Sequence, residues 1–149
     1  MSLPFSILDV FTHKKYAGNQ LAVFHHAAGI TSAEMQAIAR EINFSETTFI
    51  LSDEPYQGGY NVRIFTPRAE VPFAGHPTLG TAHIIRQDLL HGNADQVILN
   101  LRVGPIPVTF DAAGFSWMQQ IAPVFGRLLA PAELAAVLGL DVSQIVERF

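Results

Sequence analysis

Residues 63–85 read RIFTPRAEVPFAGHPTLGTAHII, which indicates a strand, then a loop rich in proline and glycine, then a helix. Pro77 fits the first turn of a helix, where its missing N–H is no loss, so we expect His76 to be the N-cap residue. From Val71 to Ile85 the sequence contains no Asp, Glu, Lys or Arg. A surface helix needs a charged face, so this pattern predicts a helix that is buried on nearly all sides.

The beginning of that helix is a candidate binding site. Gly75 and His76 would lie where free backbone N–H groups and the positive end of the helix dipole favour an anion. The alternative is structural: His76 then closes the turn before a core helix and contacts no ligand. The residue types at this turn are compatible with both interpretations.

A second candidate lies in the predicted strand 44–50, which reads FSETTFI. Alternate side chains of a strand share a face, so Glu46 should point the same way as Phe44, Thr48 and Ile50. A carboxylate beside large apolar groups is suited to take up a proton and return it near neutral pH. The alternative is that this strand lies at a sheet edge and Glu46 faces water.

Composition limits the class of protein. The chain has 149 residues, the length of one ordinary domain, with 49% hydrophobic and 15% charged residues. No apolar run approaches the ~20 residues of a membrane span, and a net charge of −4 gives no indication of nucleic-acid binding. The lack of cysteine excludes disulfides, thiolate metal sites and thiol catalysis. The first residues lack the layout of a signal peptide, so we expect a cytoplasmic location.

Hydrophobic periodicity and turn residues predict the other elements. Residues 4–12 and 20–24 should form a hairpin, and Thr31 with Glu34 should cap a helix that ends near Ile42. The remaining expected elements are strands over 60–66, 96–103, 106–110 and 115–121, and helices over 77–90, 130–138 and from the capping box Asp141–Gln144 to Phe149.

The end of the chain bears on domain organisation. We expect residues 1–122 to form one domain and residues 123–149 to be the start of a second, truncated domain. The reason is that the apolar residues of the last predicted helix have no obvious packing partner in the preceding sequence. The alternative is a short C-terminal helix that folds back on a single domain.

Several short motifs occur in order along the chain. They are DVFT at 9–12, GN at 18–19, LAV at 21–23, SETTF at 45–49, RIFTP at 63–67 with Glu70, and FAGHPTLGTA at 73–82. Together, over about residues 5–145, they resemble the phenazine-biosynthesis PhzF-like isomerase family, N-terminal half. The resemblance implies the α+β fold of the diaminopimelate-epimerase type. In that fold each of two similar halves wraps a curled, mostly antiparallel sheet around a central helix, and the active site lies between the halves.

The same resemblance implies roles for individual residues. Glu46 would be the proton-transfer residue, Gly75 and His76 would contact the substrate, and His76 would also polarise the group next to the reacting carbon. Asn19 would lie near the same cleft and bind substrate. In related epimerases a catalytic cysteine precedes a Gly-Asn pair at the helix start, where this chain has Ala74. A two-thiol racemase mechanism is therefore impossible here.

The function implied is a cofactor-independent isomerase that moves a proton on a small cyclic or amino acid, with no metal and no nucleic-acid or membrane partner. The alternative is a non-catalytic half-domain or degenerate relative that binds a small acid or a partner protein. A metal site built from His25, His26, His76 and His83 is not favoured, because no suitable carboxylate accompanies them.

Chain length leaves the completion of the site open, because the family is normally about twice as long. The chain could be a fragment, two copies could pair, or a separate chain could complete the cleft. Apolar surface left open by the absent half predicts self-association, so we expect a homo-oligomer.

Overall fold

The computed structural model describes residues 2–146. These residues form one curled sheet with an α-helix inside the curl and another on its outer face. The strands are β1 (Phe5–Val10), β2 (Asn19–Phe24), β3 (Glu46–Ile50), β4 (Tyr60–Phe65), β5 (Glu70–Val71), β6 (Gln96–Leu101), β7 (Gly104–Phe110) and β8 (Ser116–Met118). The helices are α1 (Ser32–Ile42), α2 (Gly75–Ile84) and α3 (Pro131–Leu138).

The sheet has the strand order β1-β2-β3-β4-β6-β7-β8, and β5 pairs with β4. Two pairs are parallel, β2 with β3 and β4 with β6, and the other pairs are antiparallel. Helix α2 contacts strands from both ends of this order, including β1 and β8, because the sheet curls around it. The predicted α+β architecture, a mostly antiparallel sheet around a central helix, is confirmed.

Two hydrophobic clusters lie on opposite faces of the sheet. The inner cluster joins the sheet to α2 and includes Leu21, Ile50 and Ile85. The outer cluster joins the sheet to α1 and includes Met35 and Phe49. Helix α1 is amphipathic, begins at the predicted Thr31–Glu34 capping box and ends at Asn43, whose φ of 56° is left-handed. The predicted cap and the predicted end near Ile42 are therefore confirmed.

The start of α2 differs from the prediction. The N-cap residue is Ala74 rather than His76, so Pro77 occupies the third helical position. Proline is tolerated there because the first four N–H groups of a helix lack an intrahelical partner in any case. His76 is consequently inside the first turn, and it is 7% exposed.

The end of α2 also differs in detail from the predicted helix over 77–90. Regular α-helix stops at Ile84, and a π-helical turn continues from Ile85 to Leu89. His91 and Gly92 then take positive φ angles of 51° and 78°, which is the left-handed stop expected from the sequence.

The last part of the chain corrects a further prediction. The capping box of Asp141 and Gln144 forms, but it is followed only by a 3₁₀ turn over Val142–Gln144, and Ile145 is extended. The predicted helix is therefore wrong over 142–146, and its last three residues lie outside the described part. Strand β8 is also shorter than the expected 115–121.

Residues 119–130 contain no helix or strand, and several of their apolar side chains are strongly exposed, including Val124, Phe125 and Leu128. The division into domains 1–122 and 123–149 stays a prediction. Across residues 2–146, no helix combines the length and the apolar character needed to cross a bilayer.

Thr48 and Thr81 join β3 to α2 inside the inner core. Their hydroxyl oxygens are 2.8 Å apart, and both residues are 0% exposed. Thr81→Val should cost roughly 1–3 kcal/mol of unfolding free energy, because the buried Thr48 hydroxyl loses its partner. Adding Thr48→Val should recover most of that loss, since neither position then buries an unpaired hydroxyl. Urea unfolding of the parent, the two single variants and the double variant measures the coupling between the two hydroxyl groups. If the two single losses of unfolding free energy simply add in the double variant, the prediction is contradicted.

Candidate functional site

The topology of the sheet brings three of the predicted site residues together. Strands β2 and β3 are parallel, with Leu21 opposite Glu46, so both strands begin at the same end of the sheet. Asn19 is the first residue of β2 and Glu46 is the first residue of β3. The first turn of α2 reaches the same end and carries His76. Three elements that are distant in sequence therefore converge on one point.

His76 lies at the centre of this group. Its Nδ1 is 3.0 Å from the amide nitrogen Nδ2 of Asn19. Its Nε2 is 3.4 Å from the backbone carbonyl of Gln20 and 3.6 Å from Oε2 of Glu46. The His76 side chain is only 8% exposed, so these neighbours replace most of its contact with water. Sequence reasoning did not identify the Gln20 carbonyl, because a backbone group leaves no residue-type signal.

Glu46 is largely buried, with a side chain that is 20% exposed. Its Oε2 is shielded from solvent and has no hydrogen-bond partner among the described residues. Strand β3 lies between β2 and β4, so the alternative of an edge strand is wrong. A buried carboxylate oxygen without a hydrogen-bond partner is costly, so a donor group of a ligand would be a favourable partner for it.

The predicted face of β3 is correct in part. Thr48 and Ile50 share the inner side with Glu46, as alternation requires. Phe44 precedes the strand and packs in the outer cluster instead, so its predicted place beside Glu46 is wrong. Glu46 is enclosed by β2 and α2 rather than by Phe44.

Gly75 begins α2, whose N-cap Ala74 provides no side-chain hydrogen bond. Pro77 has no N–H, so the donors of this helix end are the backbone N–H groups of Gly75 and His76, together with the positive end of the helix dipole. A Cβ at Gly75 would meet Cε of Met118 at 3.6 Å, which is an ordinary contact. Gly75 is therefore not required there by crowding.

Phe11 is a neighbour of the site that the sequence did not indicate. Its ring centroid is 6.5 Å from that of His76, and the side chain is 72% exposed. Its φ of 64° is left-handed, which is unusual for an aromatic residue and directs the chain away from β1. An exposed ring beside a buried polar cluster provides an apolar wall that a flat ligand could contact.

The other histidines have different surroundings. His25 lies 3.2 Å from the Ser6 hydroxyl, and His26 lies 2.7 Å from a carboxylate oxygen of Asp53. His83 lines a cavity of about 530 Å³ beside α2, which Phe11 also lines but Asn19, Glu46 and His76 do not. In residues 2–146 no group of three or more His, Asp or Glu side chains is placed to hold a metal ion.

Arg63 and Glu70, which belong to one of the sequence motifs, form a structural pair outside this cluster. The guanidinium donates two hydrogen bonds of 2.9 and 2.8 Å to the carboxylate and so joins β5 to β4. These hydrogen bonds hold the pKa of Glu70 below its ordinary value of 4.5, although burial opposes them.

This pair should make stability depend on pH. Because the folded-state pKa of Glu70 is depressed, its contribution is fully present above pH 4.5 and is lost as pH falls through the lower folded value. Glu70→Gln should cost roughly 1.5–3 kcal/mol at neutral pH, and the difference from the parent should shrink in acid. Urea unfolding over a pH series measures this. Glu41→Gln, at an exposed carboxylate, should show no such trend.

Comparison with known sequences identifies the family. The PhzC-PhzF family model, described as phenazine biosynthesis-like protein, matches residues 8–137. The trans-2,3-dihydro-3-hydroxyanthranilate isomerase of Pseudomonas aeruginosa is 38% identical over 141 residues, covering 92% of this chain and 49% of that protein. An uncharacterized isomerase of Mesorhizobium japonicum is 42% identical over 144 residues, covering 93% and 48%. The chain thus spans about half the length of these curated relatives.

Solved structures agree with the sequence matches. A predicted epimerase of Pseudomonas aeruginosa has a TM-score of 0.80 and 31% identity, covering 95% of this chain and 52% of that one. A PhzF-family phenazine biosynthesis protein of Bacillus anthracis has a TM-score of 0.77 and 31% identity, covering 98% and 50%. The family match covers most of the chain, and sequence and fold point the same way. The chain therefore belongs to the PhzC-PhzF family of phenazine biosynthesis-like proteins, a family whose curated relatives named above are isomerases.

Proposed function

We propose that the chain carries the proton-transfer machinery of a cofactor-independent isomerase, with Glu46 as general acid and base. The observation that supports this most directly is the buried Oε2 of Glu46, which has no hydrogen-bond partner in the described residues and faces Nε2 of His76. A structural carboxylate would be paired at this depth. An unpaired one, beside open helix donors, is the arrangement expected of a residue whose partner is the substrate.

The substrate class follows from the neighbouring groups. The free N–H groups of Gly75 and His76 suit a carboxylate, and the exposed Phe11 ring suits a flat apolar body. A small cyclic acid combines both features. The relative from Pseudomonas aeruginosa is named for such a compound, a dihydro-hydroxyanthranilate. We propose a compound of this class as substrate, with Asn19 also available to contact it.

The proposed reaction needs no oxidant or reductant. The Glu46 carboxylate removes a proton from one carbon of the substrate. The electron pair left behind forms a new double bond to the neighbouring carbon, and the pair of the original double bond moves to the carbon beyond it. The Glu46 carboxylic acid then returns the proton to a different carbon, which restores the carboxylate. His76, through its Nε2–H, polarises the group next to the reacting carbon. Atoms and electrons balance within one molecule, so the product is an isomer.

The competing candidate is a protein that binds a small acid without reacting with it. The chain spans about half the length of these relatives. A cleft formed by these residues alone would be half-open, would exclude water poorly and would stabilise charge less well, which would favour the binding protein. The discriminating experiment incubates the chain with trans-2,3-dihydro-3-hydroxyanthranilate in D₂O and follows the compound by NMR. Carbon-bound deuterium and an isomerised product support the isomerase. Saturable binding without exchange supports the binder.

We also propose that the chain forms homodimers. Val124, Phe125 and Leu128 are each at least 88% exposed, and apolar side chains grouped in this way usually mark an interaction surface. Light scattering over a range of concentrations should show a mass above that of one chain, 16.3 kDa, that falls on dilution. Replacing Val124, Phe125 and Leu128 together by Ser should lower the mass to that of a monomer. A monomer at all concentrations in the parent would contradict the proposal.

A further inference from the structure

The two ring nitrogens of His76 face different hydrogen-bonding groups. Nε2 faces two oxygen atoms, the Gln20 carbonyl at 3.4 Å and the Glu46 carboxylate at 3.6 Å. Nδ1 faces the amide nitrogen of Asn19 at 3.0 Å. A carbonyl and a carboxylate can only accept a hydrogen bond, whereas an amide NH₂ can only donate one. The neighbours therefore determine where the ring carries its proton.

Nε2 must carry the proton, because a bare nitrogen lone pair would face two oxygen lone pairs. Nδ1 must then be bare, because it accepts from the N–H of Asn19. The result is a neutral imidazole that accepts a hydrogen bond from Asn19 at Nδ1 and donates one from Nε2 to the Gln20 carbonyl, with Oε2 of Glu46 3.6 Å from the same nitrogen. The opposite orientation of the Asn19 amide would place its oxygen against Nδ1 and would demand a doubly protonated, charged ring.

The protonation state of His76 matters for Glu46. A charged imidazolium 3.6 Å away would form an ion pair with the carboxylate and hold it in its ionised form. A neutral ring forms no ion pair with the carboxylate, and Oε2 of Glu46 stays without a hydrogen-bond partner in the described residues. The charged group that faces His76 is Glu46 on β3, while β2 contributes an amide and a carbonyl, and Phe11 contributes an apolar ring.

The position of Asn19 is set by tight backbone packing. A Cβ at the preceding Gly18 would lie 2.5 Å from the carbonyl oxygen of Val10 and 2.9 Å from Cβ of Asp9. Only glycine permits this approach of β2 to β1, since the clash involves backbone. Asn19 itself pairs with Val10 in the β1–β2 ladder. The amide is thus held against His76 by the sheet rather than by a flexible loop.

We propose that Asn19 is a positioning residue that fixes His76 as the neutral tautomer with the proton on Nε2, which faces the Gln20 carbonyl and lies beside Glu46. The catalytic consequence rests on the function proposed above for Glu46, but the tautomer itself does not. This differs from a role for Asn19 in binding substrate alone, because the amide N–H at Nδ1 is already engaged without a ligand.

The test is a long-range proton–nitrogen correlation spectrum of nitrogen-15-labelled protein, recorded without substrate at neutral and mildly alkaline pH. The chain has six histidines, so the His76 signals are assigned by their loss in His76→Gln, and the other five rings serve as internal controls. We expect a single tautomer, with a bare Nδ1 and a protonated Nε2. A mixture of tautomers, a proton on Nδ1 or an imidazolium would overturn the proposal.

A charge substitution sharpens the test. Asn19→Asp places an acceptor against Nδ1, so the His76 ring should become protonated on both nitrogens at neutral pH. Asn93→Asp adds the same charge in an exposed turn after α2 and should leave the His76 spectrum unchanged. An unchanged ring in Asn19→Asp would refute the positioning role. If Asn19→Asp fails to fold, the spectrum of the parent protein still shows which nitrogen of His76 carries the proton, and so tests the proposal. Loss of isomerase activity alone bears on the proposed function and not on the tautomer.

Discussion

Glu46→Gln should lower the rate of isomerisation by roughly 10²–10⁴-fold while the chain stays folded. The amide has nearly the shape of the carboxylate but cannot accept a proton from carbon and return it. Because Oε2 of Glu46 has no hydrogen-bond partner in the described residues, the substitution breaks no contact of the fold. A neutral amide also costs less to bury than a charged carboxylate. The free energy of unfolding should therefore stay the same or rise slightly.

The measurement combines deuterium exchange into the substrate with urea unfolding of the same preparations. Glu41→Gln is the matched control, because Glu41 is an exposed carboxylate on α1 and the change in charge is identical. The control should exchange at the rate of the parent. Equal exchange by Glu46→Gln and the parent would remove Glu46 from the proton-transfer step. Unfolding of Glu46→Gln would instead show that the carboxylate is structural.

The inner face of β3 illustrates what the sequence could predict. A period of two placed Glu46, Thr48 and Ile50 on one side, and the structure agrees, because alternation is a property of the strand itself. Phe44 was misplaced since the strand begins only at Glu46, and alternation does not extend into the preceding turn. The sequence therefore predicted the alternation of side chains within the strand but not the residue at which the strand begins.

The contact between Asn19 and His76 could not be predicted from spacing. It joins residues 57 positions apart and depends on the packing of α2 against β2, while the approach of Glu46 depends on the parallel pairing of β2 with β3. Local sequence predicts that a strand exists but not which strand lies beside it, because register is set by tertiary packing. The sequence motifs indicated the family and the candidate residues. The distances between those residues are known only from the structure.

Helix boundaries show the same limit. Pro77 is compatible with any position in the first turn, so it could not distinguish a helix that starts at Gly75 from one that starts two residues later. The capping box at Asp141 marked a real N-cap, yet only a 3₁₀ turn follows. A cap satisfies the first N–H groups, but a short helix also needs tertiary contacts to persist.

Leu21→Ala should reduce the free energy of unfolding by roughly 2–5 kcal/mol, the second large effect that we expect. Leu21 is 0% exposed, packs against α2 in the inner cluster and pairs with Glu46 in the sheet. Leu21 lies against Gly80 of α2, where an added Cβ would be 2.6 Å from Cδ2 of Leu21. The Leu21 side chain thus fills the space above Gly80, and truncating Leu21 to alanine opens a cavity there.

The packing of Leu21 on Gly80 makes the effect of Gly80→Ala depend on the residue at position 21. In the parent, alanine gains about 1 kcal/mol of helix propensity, but crowding against Leu21 and Val10 should cost roughly 1–3 kcal/mol, so the net change is destabilising. In the Leu21→Ala background the closest clash is gone. The remaining neighbours, Val10 Cγ2 at 2.9 Å and Leu8 Cδ1 at 3.1 Å, are side-chain ends that can move into the vacated space. Gly80→Ala should then stabilise the protein.

Urea unfolding of the parent, the two single variants and the double variant tests this reversal of sign. Leu128→Ala is the control for leucine truncation, because Leu128 is 88% exposed and its loss should change the free energy of unfolding by less than about 0.5 kcal/mol. If Gly80→Ala destabilises both backgrounds equally, Leu21 is not what requires glycine at position 80. If the sign reverses, the close packing of β2 on α2 depends on that glycine. The same packing holds the strand that begins at Asn19 against the helix that carries His76.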